Sequence, residues 1–334
     1  MSKRLTHLFP AILAIVSCTS PFGTGRAAQE KAADRLVVHE WGTFTYVLDQ
    51  TGSALSWTPL SGPSDLPGFI YGIGADSRRP GARNNPQIKV ALAAKVRMET
   101  PVVYFYADRE MTASLKVEFP QGYVTEWYPD GTKTGPGIAW EKFKILPGRH
   151  SGFPVEPGRS RYYSARATDA APLRIAGSNG LEDEKFLFYR GVGNFDPPFS
   201  IKLRRRRIIA TASSNSQISE AVLFQNVSGR QGYQVRSLAG DHAVFQADAP
   251  LEPAASLRGE LERVLLRSGL SDLEARAMLD TWADSWLEPG VRIFFTLPRQ
   301  ITELLLPMTI DPQPTSLERV MVCRAEIITP EMEA

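Results

Sequence analysis

The sequence predicts a mainly β protein, an antiparallel sandwich-like body with a C-terminal helical hairpin, α+β overall. Short apolar runs with period-two alternation recur from Leu36 to about Ala247, and Gly- and Pro-rich turns divide them. Sustained helical periodicity is confined to the region after residue 250.

Ahead of the body lies an export segment. Lys3 and Arg4 form a positive start, and Leu8 to Val16 is an apolar run too short to span a bilayer. Small residues follow, so cleavage is expected near Ala27 or Ala28. A second reading competes with it. Ile15-Val16-Ser17-Cys18 resembles a lipobox, which would place the cut before Cys18, acylate that cysteine and leave Thr19 to Gly25 as a tether. The expected division is a signal peptide over 1–28 (1–17 for a lipoprotein), a β-rich body over 29–250, and a helical hairpin with closing strands over 251–334. That last part is expected to pack on the body as one unit.

The first strand is Leu36 to Leu48, with Ser53 to Thr58 as its hairpin partner through Asp49-Gln50-Thr51-Gly52. Pro101 to Tyr106, Thr112 to Phe119 and Gly122 to Tyr128 follow, the last turning at Pro129-Asp130-Gly131. Further strands are expected at Ile138–Ile145, Lys185–Arg190, Arg207–Ala212, Ala221–Asn226, Tyr233–Leu238 and Ala243–Ala247. Two stretches, Pro59 to Pro86 and Gly148 to Gly180, read as long irregular loops. Their aromatics (Phe69, Tyr71, Tyr162 and Tyr163) suggest that they fold back on the body.

Leu257, Leu261, Val264 and Leu265 then fall on one helix face, and Gly269 stops that helix. Ser271-Asp272-Leu273-Glu274 reads as a capping box opening a second helix, with Leu273, Ala277, Met278, Thr281 and Trp282 inward. Glu288-Pro289-Gly290 ends it. Val291 to Leu297 and Arg319 to Ile328 return to strand.

Charge and cysteine content exclude several classes. The chain has Lys+Arg 38 against Asp+Glu 36, but Lys3, Arg4 and Arg26 precede the later cleavage site, so the mature protein is close to neutral. No nucleic-acid partner is expected. Arg204 to Arg207 is the one basic run, and an exposed edge strand protected from aggregation accounts for it. Cys18 and Cys323 are the two cysteines, so no intramolecular disulfide survives cleavage and stability rests on the core. Cys323 shares a strand face with Met321, Ala325 and Ile327, which reads as a buried, unpaired thiol.

His39-Glu40 invites a metalloprotease reading, which fails because Thr43 stands where a second histidine is needed and the context is a strand. The two side chains then point to opposite faces. No metal and no cofactor are expected. Acids beside tryptophans are the better candidates: Glu40-Trp41, Glu126-Trp127, and Trp286 near Glu288, with Glu99. Two carboxylates of different pKa flanked by stacking indoles is the chemistry of a sugar site. Glu40, Glu99, Glu126 and Glu288 are therefore the candidate acid and base residues. His39, Trp41, Trp127, Arg190, Trp286 and Arg292 are the candidate ligand-binding residues. The competing reading makes each tryptophan core and each acid part of an internal arginine clamp.

Val38 to Thr45 (Val-His-Glu-Trp-Gly-Thr-Phe-Thr), Met98 to Tyr106, Phe119-Pro120 with Thr125 to Pro129, and Glu184 to Gly193 form a recognisable set. So does the pattern from Gly269 to Gly290 that contains Thr281-Trp282 and Ser285-Trp286. Together they resemble an uncharacterised family of exported bacterial proteins. The resemblance spans nearly the whole mature chain, implies export and one shared architecture, and transfers no reaction. Cys323 departs from the pattern, where similar sequences place glycine. The expected function is that of an exported envelope protein, periplasmic, anchored in the outer membrane or released. It would bind a glycan or other envelope component, and would touch membrane only through a lipid anchor. The alternative is a carbohydrate-active hydrolase or lyase using the paired carboxylates.

Overall fold

Alternation in the sequence becomes strand pairing over most of the chain. The computed structural model describes residues 35–61, 65–73, 92–149, 152–204, 207–213, 217–238, 241–246 and 248–328. The stretch read above as an export signal, with Cys18, most of the first irregular stretch, His150, and Arg205 and Arg206 lie outside them.

The strands run in order β1 (Leu36–Leu48), β2 (Tyr71–Gly72), β3 (Val96–Ala107), β4 (Met111–Val117), β5 (Gly122–Tyr128) and β6 (Thr132–Thr134). They continue with β7 (Gly137–Ile145), β8 (Leu173–Gly177), β9 (Gly180–Glu184), β10 (Leu187–Gly193), β11 (Phe199–Arg204) and β12 (Arg207–Ala212). The last are β13 (Glu220–Val227), β14 (Arg230–Ser237), β15 (His242–Gln246), β16 (Gly290–Leu297), β17 (Met308–Asp311) and β18 (Ser316–Ile327). Helices α1 (Leu257–Arg267), α2 (Asp272–Trp282) and α3 (Arg299–Leu305), with a 3-10 turn at Arg161–Arg166, complete the set used below.

A nine-stranded sheet in the order β14-β13-β16-β18-β1-β3-β10-β5-β2 is the backbone of the molecule. β4, β7, β8, β9 and β17, with β6 beside β7, form a second sheet, and β11, β12 and β15 form a third. The protein is mainly β with a C-terminal helical region, as the sequence predicts. Among the described residues one pair departs from antiparallel order: β1 and β18 run parallel, from Val37 opposite Ser316 to Leu48 opposite Ile327. Parallel neighbours need a long connection, and here most of the chain is that connection.

The two faces of the large sheet are covered differently. On the side of Val38, Phe44 and Tyr46, Phe105 meets Phe143 of β7 at 5.0 Å and Phe295 stacks on Phe199 of β11 at 4.4 Å. This side is the sandwich. Cys323 belongs to it as a fully buried, unpaired thiol beside Tyr46, and burial holds its pKa well above the ordinary value. The other side, that of His39, Trp41 and Thr45, lies under α2 and the 3-10 turn. There Trp286 meets Phe294 at 5.1 Å, and Tyr104 Oη donates to the Ala165 carbonyl at 2.7 Å.

Close approach explains the glycine of the His-Glu-Trp-Gly run. The register between β1 and β3 slips between Trp41 and Thr43, and Thr100 takes a φ of 49° in that irregularity. A Cβ on Gly42 would sit 3.0 Å from Pro101 and 2.9 Å from the Met321 sulfur.

Several expectations are corrected. Ser53–Thr58 is not a strand and touches β1 only at the Leu48–Ala54 bridge, because β18 and β3 occupy both edges of β1. Gly148–Gly180 is not wholly irregular: it contains the 3-10 turn and β8, which pairs with β9 across the Arg174–Asp183 ion pair at 2.7 Å. The capping box forms as expected, but Leu273 is 41% exposed and Glu274 is the residue turned inward. Arg204 and Arg207 pair at the end of an exposed hairpin, in a sheet where β11 is an edge.

Candidate functional site

The four candidate acids divide between the two faces of the large sheet, one on the sandwich side and three on the other. Glu40 points into the sandwich side, fully buried, where Arg319 Nε donates to it at 2.6 Å and the Tyr189 hydroxyl donates to its other oxygen. The remaining three lie on the helix side near the far end of β1. Glu99 accepts the Thr45 hydroxyl at 2.7 Å and has Arg97 at 3.8 Å. Glu126 accepts the Thr125 hydroxyl and stands opposite Arg190 in the β10–β5 pair. Glu288, half exposed, lies 3.8 Å from Arg324.

Arginine ties these last three acids into one network. Arg190 is buried and makes a two-pronged bond to Asp65, both contacts at 2.9 Å, within the fields of Glu126 and Glu99. Arg292 donates to Glu326 at 3.1 Å and to the carbonyls of Trp286 and Pro289 at 2.7 and 3.0 Å, fastening the turn between α2 and β16. Burial opposes the charges of Asp65 and Glu99, but the charge and hydrogen bonds of Arg190 at Asp65, and Arg97 together with the Thr45 hydroxyl, Arg190 and Arg324 at Glu99, more than offset it, so both pKa values are lowered. A depressed folded-state pKa stabilises the fold above the unfolded value of about 4, and that contribution is lost as pH falls through the folded value.

This is a clamp. Trp41, Trp127 and Trp286 are core side chains, at most 3% exposed, and Trp127 and Trp286 stack on Tyr71 and Trp282. Buried to this degree, they are not the open platforms that a sugar site needs. Replacing Glu126 by Gln is therefore expected to lower the melting temperature, with a cost of about 1.5–3 kcal/mol for a hydrogen bond to a charged group. Thermal denaturation reads it. An unchanged melting temperature would remove Glu126 from the clamp.

The other end of the same face is open. A cleft of about 920 Å³ lies around the start of β1, lined among others by Arg35, His39, Tyr106, Asp169, Lys185 and Glu318. His39 and the level of Glu99 are about four residues apart along β1, some 13 Å at strand rise, so the cleft and the clamp are separate places.

Within the cleft, His39 is held from α2. Its Nδ1 lies 2.9 Å from Oε2 and 3.0 Å from Oε1 of Glu274, which is fully buried. The same carboxylate accepts the Ser271 backbone N–H at 2.8 Å, closing the capping box, and the Tyr106 hydroxyl at 2.8 Å. Burial raises the pKa of Glu274, but the bonds from His39, Ser271 and Tyr106 more than offset it and the value is lowered. Lys185 donates to the Ala170 carbonyl at 3.0 Å on the same cleft. Burial lowers its pKa against the fields of Asp169 and Glu184. Of the candidate residues, the structure places His39 alone in this cleft. Glu274, Tyr106 and Lys185 were not singled out in the sequence. The capping box was the one signal that could have drawn notice to Glu274.

No family model matches the chain, and no curated protein sequence matches it. Two solved structures are similar to it over most of its length: the yeast delta-COP-I mu-homology domain, and the same domain complexed with a Dsl1 WxWxV peptide. Each is 8% identical and covers 88% of this chain and 98% of its own, with TM-scores of 0.35 and 0.32. At scores this low the likeness carries no argument about fold, site or partner.

Proposed function

We propose that this chain is an exported envelope protein that binds a polar ligand, a glycan or other envelope component, in the cleft beside His39. The observation that carries the reading is the cleft itself. Its volume lies within the range of small-molecule sites, about 300–1,000 Å³. Charges of both signs (Arg35 and Lys185, Asp169 and Glu318) stand around an imidazole and a phenol. Set among Val37, Ala107, Ala170 and Pro172, these groups suit a ligand that carries hydroxyls and apolar faces together, as a sugar does. Export is supported by the segment from Lys3 to Ala28 and by the resemblance to exported bacterial proteins. The paired-carboxylate hydrolase has less support, because the four acids it would use are engaged by arginines or hydroxyls and the tryptophans beside them are core.

Calorimetric titration of the mature protein with peptidoglycan fragments tests the binding. Saturable heat is expected for the wild type, with loss of binding but little change in melting temperature for Lys185→Ala and Asp169→Ala. Binding unaffected by both would move the site elsewhere. Cell fractionation tests the location. Uncleaved chain in the cytoplasm would contradict export, and Cys18→Ser releases the protein from membrane if the lipobox acts.

A further inference from the structure

We infer that His39 is the proton acceptor of the cleft, taking the proton of a bound hydroxyl or water on Nε2 while Glu274 serves as its positioning carboxylate. The inference rests on the cleft being the binding site. Glu274 is ionised and receives hydrogen bonds from Ser271 N–H and the Tyr106 hydroxyl, so its contact with Nδ1 requires that nitrogen to carry the hydrogen. A neutral imidazole with Nδ1–H has its lone pair on Nε2. Among the described residues nothing bonds Nε2, and the ring, 16% exposed, lines the cleft.

Each partner exceeds a purely structural need. The capping box requires of Glu274 only its bond to Ser271, and holding α2 on the sheet requires only a hydrogen-bond donor on β1. An amide would do that. Histidine adds a second nitrogen, on a ring that lines the cleft. A buried carboxylate on Nδ1 fixes the tautomer, orients the ring and stabilises the imidazolium once a proton arrives.

The step balances as a proton transfer. The ligand O–H bond breaks with its electron pair left on oxygen, an N–H bond forms at Nε2, and the His39–Glu274 pair goes from one negative charge to none. The Lys185 ammonium on the same cleft is the cation available to the oxyanion. The groups facing His39 are Glu274 from α2, Tyr106 and Tyr104 from β3, and Glu318, its partner on β18. Arg35, Asp169 and Lys185 lie further along the cleft.

Nitrogen-15 spectra of the histidine-labelled mature protein, with carbethoxylation by diethyl pyrocarbonate mapped by peptide mass, test the assignment. The neutral His39 is expected to show one tautomer, Nδ1 protonated and Nε2 bare, and to be carbethoxylated. A peptidoglycan fragment at roughly ten times its Kd should slow that reaction about tenfold. Glu274→Gln should mix the tautomers. A protonated Nε2, or a His39 that resists reagent while exposed His242 reacts, overturns the proposal, and neither result depends on a variant folding. A single tautomer retained in Glu274→Gln overturns the positioning role. Failure of the binding reading has its own signature: no fragment binds, yet His39 keeps a bare and reactive Nε2, which upholds the base.

Discussion

A chain ending at Pro250 is expected to be insoluble. The cut removes β16 and β18, which stand between β13 and β1 in the middle of the nine-stranded sheet. β1 would lose a partner over twelve consecutive positions, from Val37 to Leu48, and expose an edge rich in apolar side chains. Trp282, Trp286, Phe294, Phe295 and Met321 leave the core with the same cut. Each full burial of such a side chain contributes about 1.5–3 kcal/mol, and a domain is stable by only about 5–15 kcal/mol in total. Solubility and a thermal melt of the 29–250 fragment check this. A soluble fragment that melts cooperatively would show that β1 finds another partner.

Arg319→Met is expected to be the most damaging single substitution. Arg319 and Glu40 are both fully buried at 0% side-chain exposure and pair at 2.6 Å, and Arg319 also donates to the Leu306 carbonyl at 2.7 Å. Removing the guanidinium leaves a carboxylate in the core with the Tyr189 hydroxyl still donating to it, and breaking such a pair costs about 3–5 kcal/mol. At about 2–4 °C per kcal/mol, the melting temperature should fall on the order of 10 °C. Adding Glu40→Gln to Arg319→Met should recover part of the loss, since the second change removes the stranded charge. Chemical and thermal denaturation of the three variants reads the cycle. A single variant that melts like the wild type would mean that Glu40 finds water or another cation.

Much of the fold was legible because its signals are local. Alternation placed β1 and β5 at their observed ends, and Ser271 with Glu274 announced the start of α2. Glycine after Glu288-Pro289 marked the return to strand. Opposite orientation of His39 and Glu40 followed from strand geometry alone, and it is the reason one reaches the cleft and the other the sandwich interior.

Pairing was not local, and there the sequence was silent. Nothing in Leu36–Leu48 distinguishes a hairpin partner beginning at Ser53 from a parallel partner near the other end of the chain. The choice depends on which strand completes the core, and β18 does so with Met321, Cys323, Ala325 and Ile327 along one face. The acids tell the same story. Beside a tryptophan in sequence, Glu126 and Glu40 looked alike, yet strand neighbours gave each its own hydrogen bonds and its own side of the sheet. The inward residue of α2 is the sharpest case. Hydrophobic periodicity favours Leu273, whereas a histidine and a tyrosine on the sheet beneath supply donors that make it favourable to bury Glu274 instead. Composition and spacing determined the β class, the helical hairpin and the export segment as an expectation. Only the tertiary structure decided which charges meet, because burial of a charge is favourable or prohibitive according to partners that are hundreds of residues away in the chain.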